Sequence, residues 1–228
     1  MLSNYAIDVD FTSADCNHNL DTPMQMAQYL ANVARKNSID PASLQLPECA
    51  IIPKNVNVIM ISEVPPKNLE DCFYSSHPGS DYVRSTLGLF NEAGVDVKCV
   101  QDILDMGIYI TTAVKTPKTS YAVETNVIKA HLPILEAELA LFPNLKVVML
   151  MGDVAKKTVN IIARKQTKKS VVPPSGSTYK IRGQEFYWGS RRVFPSYIMT
   201  GGNILIEKSK REMIADDIRR MIEVISNV

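Results

Sequence analysis

The amino-acid sequence predicts a three-layer α/β/α sandwich around a central four-stranded parallel sheet. Four short runs, at 56–62, 107–115, 145–151 and 191–197, read as core strands, the first of them, VNVIMIS, β-branched and without regular polar alternation. That is the pattern of strands covered on both faces. Helical periodicities separate the runs, and strands that alternate with helices pair in parallel through crossover connections.

Each element follows from local chemistry. Thr22 and Pro23 read as the N-cap and first position of an amphipathic helix over 22–37. A proline-punctuated loop leads into the first strand, which halts at Ser62-Glu63 before the Pro65-Pro66 pair. A long loop (63–80), a helix over 81–92 and the strand at 107–115 come next. Residues 120–142 read as a long helix distorted near Pro133. Gly152 closes the third strand, and a helix over 154–164 follows. "TYKIRGQEFYWG" alternates around Arg182-Gly183, a hairpin signal. "RRVFPSY" carries the fourth strand, and a final amphipathic helix over 209–227 sets Ile214, Ile218, Met221, Ile222 and Ile225 on one face. Residues 1–228 are expected to form one domain, with 1–53 a helical extension packed on it.

Composition narrows the class. With 228 residues, 46% hydrophobic and 21% charged, the chain has ordinary globular composition and can bury a substantial core. Its net charge of +1 hides an asymmetry: residues 1–145 carry 9 Lys/Arg and 17 Asp/Glu, residues 146–228 carry 16 and 7. A basic half within a neutral protein points to a polyanionic partner, although cations on solvated helix faces give the same count. No apolar run reaches the length of a membrane span, and the N-terminus lacks the basic and apolar regions of a signal peptide. A cytoplasmic monomer is expected. Cys16, Cys49, Cys72 and Cys99 form no CxxC pair, so they read as free thiols and no metal or other cofactor is expected.

In a parallel sheet of this kind the ligand site lies beyond the carboxyl ends of the strands. "SEVPP", "TTAVKTPK", "MGDVAKK" and "SYIMTGGN" therefore share one edge. In this order, over roughly residues 54–226, these strand ends resemble the uracil-DNA glycosylase superfamily. "VIMISEVPP" is similar to the strand and Gly-Glu-Ala-Pro-Gly motif of its thermostable bacterial and archaeal branch, and "IYITTAVKTPK" to its Ile-Thr-Asn-Val-Val-Lys-Cys strand. "LKVVMLMGDVA" is similar to a strand ending in Gly-x-x-Ala, and "RVFPSYIM" stands at the Thr-Tyr-His-Pro motif.

The resemblance implies a DNA glycosylase that flips uracil or another damaged base into a pocket and hydrolyses its N-glycosidic bond. The departures are specific. Ser62 and Pro66 replace glycines, Thr112 replaces the base-reading asparagine, Ile198 replaces the histidine, and the branch's iron–sulfur cysteines have no counterpart. A carboxamide offers a fixed donor and acceptor, whereas a hydroxyl rotates and a sec-butyl group donates nothing. A binding protein on the same fold that does not cut is therefore the alternative, with hydrolysis of a small nucleoside a weaker third.

Glu63 matches the family's glutamate and is the candidate catalytic carboxylate, able to orient water or stabilise an oxocarbenium-like sugar. Its structural alternative is to bond backbone N–H groups and hold the loop. Ser62 and Val64 flank it as substrate-binding candidates. Phe73 and Tyr74 fall where the family stacks an aromatic on the flipped base, the alternative being a core aromatic under a loop. His77 and Thr112 complete the expected base pocket. Asn203 is the candidate to replace the missing polar group. Gly201 and Gly202, which follow Thr200, lack Cβ atoms and let the backbone of this loop approach a phosphate. Lys208, Lys210 and Arg211, with Lys156 and Lys157, are the candidate DNA-binding cations. Residues 173–177 read as a mobile stretch without chemistry.

Overall fold

The computed structural model describes residues 19–77, 79–199 and 207–226. Its centre is a five-stranded sheet. Strands β3 (Val58–Ser62), β4 (Ile108–Thr112), β5 (Val147–Met151) and β7 (Arg191–Ser196) are parallel, and β6 (Phe186–Trp188) is antiparallel to β7. The spatial order is β4-β3-β5-β7-β6. A two-residue ribbon, β1 (Met24–Gln25) with β2 (Ala50–Ile51), stands apart from it.

Helices cover both faces. Val58, Met60, Ile108, Ile110, Val147 and Met149 pack with residues of α2 (Asp81–Glu92), α3 (Val100–Asp105) and the last helix, α7 (Lys208–Ser226). Ile59, Ile61, Tyr109, Val148 and Leu150 pack with α1 (Met26–Lys36), α4 (Thr125–Leu141) and α5 (Asp153–Thr167). Every residue of β3 and β5 is buried, which is why these strands show no polar alternation. Full burial of each such aliphatic side chain contributes about 1.5–3 kcal/mol. Among the described residues no helix is long and apolar enough to cross a membrane.

The four expected strands are present and parallel, and three details differ. The sheet has five strands, because "FYW" pairs with "RRV" across a turn at Gly189 (φ 62°). The hairpin is therefore centred there and not on Arg182-Gly183, and Thr178–Ile181 forms a single helical turn, α6. The first helix starts at Met26, not at Thr22. Met24 and Gln25 are extended by pairing with β2, and the Thr22 hydroxyl bonds the Asn19 carbonyl (3.0 Å). Helix α4 is continuous through Pro133.

One polar cluster lies inside the α4 side of the core. The Lys115 ammonium, fully buried, meets Glu138 Oε2 (2.6 Å), the Thr111 hydroxyl (2.6 Å) and the Thr112 carbonyl (2.8 Å). Tyr109 and Thr111 each donate to Glu138 Oε1 at 2.7 Å. Burial pulls the lysine below its ordinary pKa, and Glu138 opposes that pull. The cluster pins the end of β4 to α4. Lys115→Met should leave Glu138 buried without its counter-charge and destabilise the fold by about 3–5 kcal/mol. Urea denaturation checks this, and a variant as stable as wild type would refute the role.

Candidate functional site

The first strand ends at Ser62, yet its ladder continues: Ala113 donates to the Ser62 carbonyl (2.8 Å) and Val114 to the Glu63 carbonyl (3.1 Å). Side chains along a strand alternate between faces. Ser62 lies in register with Thr112, on the face of Met60 and Ile110, where Phe73 and Tyr82 pack. Glu63 follows Ile59 and Ile61 toward the opposite face, where α5 begins. Its Oε1 accepts the Val154 N–H (3.1 Å), so it caps α5 from another part of the chain. Gly152 allows this approach: its φ is +98°, and a Cβ there would lie 2.6 Å from Glu63 Oε1 and 2.9 Å from Ile198 Cγ1.

Glu63 stands at one end of a cleft of about 900 Å³. Its walls come from the start of α5 (Asp153, Lys156, Lys157, Asn160), from residues 173–178, and from Tyr197, Ile198 and Lys210. Pro173, Pro174, Gly176, Ser177 and Thr178 form part of one wall. Asn160 Oδ1 accepts the Val171 and Val172 N–H groups, and Lys156 reaches the Thr178 hydroxyl (3.2 Å) and the Gly176 carbonyl (3.4 Å). Arg164 also borders the cleft. Four cations and two carboxylates thus line it, an anion-attracting surface.

Across the Glu63–Pro66 loop lies a second cavity of about 560 Å³, lined by Pro65, Pro66, Phe73, Tyr74, Tyr82, Thr112 and the segment 44–48. Phe73 is buried, edge-on to Tyr74 (4.9 Å between ring centroids) and 5.5 Å from Tyr82. The Tyr74 hydroxyl donates to the Ile110 carbonyl (2.9 Å) and accepts the Ile110 N–H (3.0 Å), closing part of the exposed edge of β4. Burial pushes the Tyr82 phenol up to about 12, so it stays neutral at ordinary pH.

The expected constellation is therefore divided. A single cleft shared by Glu63, Phe73 and Thr112 does not form: Glu63 borders the basic cleft, whereas Phe73, Tyr74 and Thr112 border the aromatic cavity. Glu63 and Thr112 lie on opposite faces of the pleat, and the aromatic cavity opens at the edge strand β4, lined by Ile110, Thr111 and Thr112 together. Ser62 is buried beneath the loop, and Val64 packs on the core near α4 and α5. His77 is exposed in a neighbouring depression with Val100 and Gln101, its Nε2 3.9 Å from Glu70. Lys210 borders the basic cleft and pairs with Glu207 (2.8 Å), and Lys157 is exposed beside Thr125. Lys156 is buried and paired with Asp153 (2.7 Å), so its ammonium is largely committed. Arg211 pairs with Glu92 and ties α7 to α2, turned away from the cleft, because the helix carries it round to that neighbour. Lys208 is exposed at the start of α7. Asn203, Thr200, Gly201 and Gly202 lie outside the described residues. Sequence reasoning missed Gln45, Asn160 and Arg164; none belongs to a strand-end motif.

Gly152→Ala should break the Glu63 cap and strain the backbone, costing roughly 1–3 kcal/mol. Thermal unfolding together with the Val154 amide resonance checks it. A variant with wild-type stability and an unmoved Val154 amide contradicts the reading.

Comparison with curated proteins gives no match. The family model described as "Uracil DNA glycosylase superfamily" matches residues 50–206, a span that holds β3, the Glu63 loop, both cavity linings except residues 44–48 and Lys210, and all four parallel strands. The chain belongs to the uracil-DNA glycosylase superfamily.

Proposed function

We propose that this protein excises an altered base from DNA, with the base in the aromatic cavity, the phosphodiester backbone along the basic cleft and the sugar over the loop between them. The carrying observation is that one loop, Glu63–Pro66, separates an aromatic cavity from a cation-rich cleft at the carboxyl edge of the sheet. A flipped nucleotide needs both surfaces at once: π-faces for the base and cations for its phosphates.

In the hydrolysis the bond from C1′ to the base nitrogen breaks and the base leaves with the electron pair. Water adds to C1′, and its proton passes to a base. Glu63 is the carboxylate assigned to that work: it takes the water's proton and offsets positive charge on the sugar. The Val154 N–H holds one of its oxygens, which fixes the side chain in one orientation. Pro65 and Pro66 restrict the loop that carries it.

A second reading is favoured by the fourth motif. Ile198, which approaches Gly152 where the family has its histidine, cannot donate to a departing base. On that reading the protein holds DNA without cutting it, and Glu63 is only the cap of α5.

Base release from oligonucleotides containing uracil, hypoxanthine or xanthine separates the two. Glu63→Gln keeps the shape and should lower release by roughly 10²-fold, with DNA affinity nearly unchanged. Equal release by wild type and variant removes Glu63 from the mechanism, and no release by wild type from any substrate selects the non-cutting reading. Wild-type affinity should fall steeply with salt. Replacing Lys157 and Lys210 by Ala should flatten the logarithmic slope by about 0.9 for each phosphate left without its cation. An unchanged slope would take the phosphates out of this cleft.

A further inference from the structure

The aromatic cavity has a carboxamide that the described strand-motif residues do not supply. Thr112 stands where the family reads the base with asparagine, and among the described residues of the four motifs none brings an amide to this cavity. Gln45 does. It precedes the family match, which begins at residue 50, and lines the cavity beside Leu44, Leu46 and Pro47.

Its placement is specified. The Gln45 backbone N–H donates to the Lys115 carbonyl (2.7 Å), which ties segment 44–48 to the end of β4 three residues past Thr112. Pro47 is buried, and Leu44 and Leu46 pack on the core. The Cys72 thiol donates to Gln45 Oε1 (3.8 Å). Burial, with Asp71 and Glu48 nearby, holds the Cys72 thiol above its ordinary pKa, so it keeps the proton it donates. The thiol marks Oε1 as the acceptor end of the amide, and Nε2 brings two donor hydrogens to the cavity lining.

We propose that Gln45 is the specificity residue of the aromatic cavity, donating from Nε2 to the group at pyrimidine C4 or purine C6 and so selecting uracil and hypoxanthine, which carry an oxo group there, over cytosine and adenine, which carry an amino group. A carbonyl oxygen accepts from Nε2, whereas an exocyclic amine sets donor against donor and leaves both groups unpaired inside the cavity. Phe73, Tyr74 and Tyr82 supply the apolar walls, and Thr112, whose hydroxyl turns either way, tolerates both classes. This rests on the reading that the cavity takes a base, and it does not require that a bond be cut.

The test uses the full chain and the free bases uracil, hypoxanthine, cytosine and adenine, with binding followed by calorimetry or ligand-observed NMR. Wild type should prefer uracil over cytosine, and hypoxanthine over adenine, by about tenfold or more. Gln45→Leu should bring each pair to near equality. Gln45→Glu, which keeps the shape but presents an acceptor, should move the preference toward cytosine and adenine; circular dichroism verifies that both variants fold. Equal affinities in wild type, a preference that survives Gln45→Leu, or no binding of any base each overturns the assignment. The outcome separates from that of the hydrolysis reading. Oxo-base binding that depends on Gln45, without release from DNA, upholds Gln45 and removes catalysis; release from DNA with selectivity indifferent to Gln45 does the reverse.

Discussion

Val58, Met60 and Ser62 face one side of the central sheet, Ile59 and Ile61 the other, and Glu63 inherits the side of Ile59 and Ile61. This two-residue period decides most of what the strand-end edge can do. It sends the carboxylate toward the first turn of α5 while Thr112, paired with Ser62, stays with Phe73 and Tyr82. The Glu63–Pro66 loop becomes a ridge with chemically different cavities on its two sides. One is lined by Lys156, Lys157, Arg164 and Lys210, the other by Phe73, Tyr74 and Tyr82.

The ridge depends on what lies beneath it. Lys115 and Glu138 lock the end of β4 to α4 with every partner in reach, and this fixes the carbonyl to which Gln45 is tied. On the other side, Asp217 is fully buried in α7, taking the Ser196 hydroxyl (2.7 Å) and the Arg182 guanidinium (2.8 Å). Burial outweighs these partners and raises its pKa. Two buried polar clusters thus brace the sheet edge, one at each end of the strand set. A buried charge with all its partners adds little net stability but is costly to break, which makes such clusters effective at specifying one arrangement.

Glu63 illustrates how a structural role and a chemical role coincide. Its bond to Val154 is the loop-holding function that any carboxylate at a helix N-terminus could serve. The same bond points the group into the cleft with Tyr197 and Lys210. Orientation by a backbone donor is what a reacting carboxylate needs, so the cap argues for neither role alone.

The sequence by itself determined the four parallel strands, the helix over 81–92 and the strand-end edge, because fully buried strands must be apolar throughout and the helix carries its own N-cap, Ser80, bonded to the Val83 N–H. It also determined the superfamily, through four motifs in register. Tertiary structure alone decided which of those motif residues meet. Local pattern cannot show that Arg211 is consumed by Glu92, that Lys156 is buried against Asp153 and Thr178, or that Glu63 and Phe73 end in separate cavities. Nor can it show that Gln45, in a loop without periodicity, is carried by one backbone bond to Lys115 into the cavity of Thr112. Strands announce themselves by burial along their length, whereas a site is made by residues far apart in the chain, and only the packed fold brings those together.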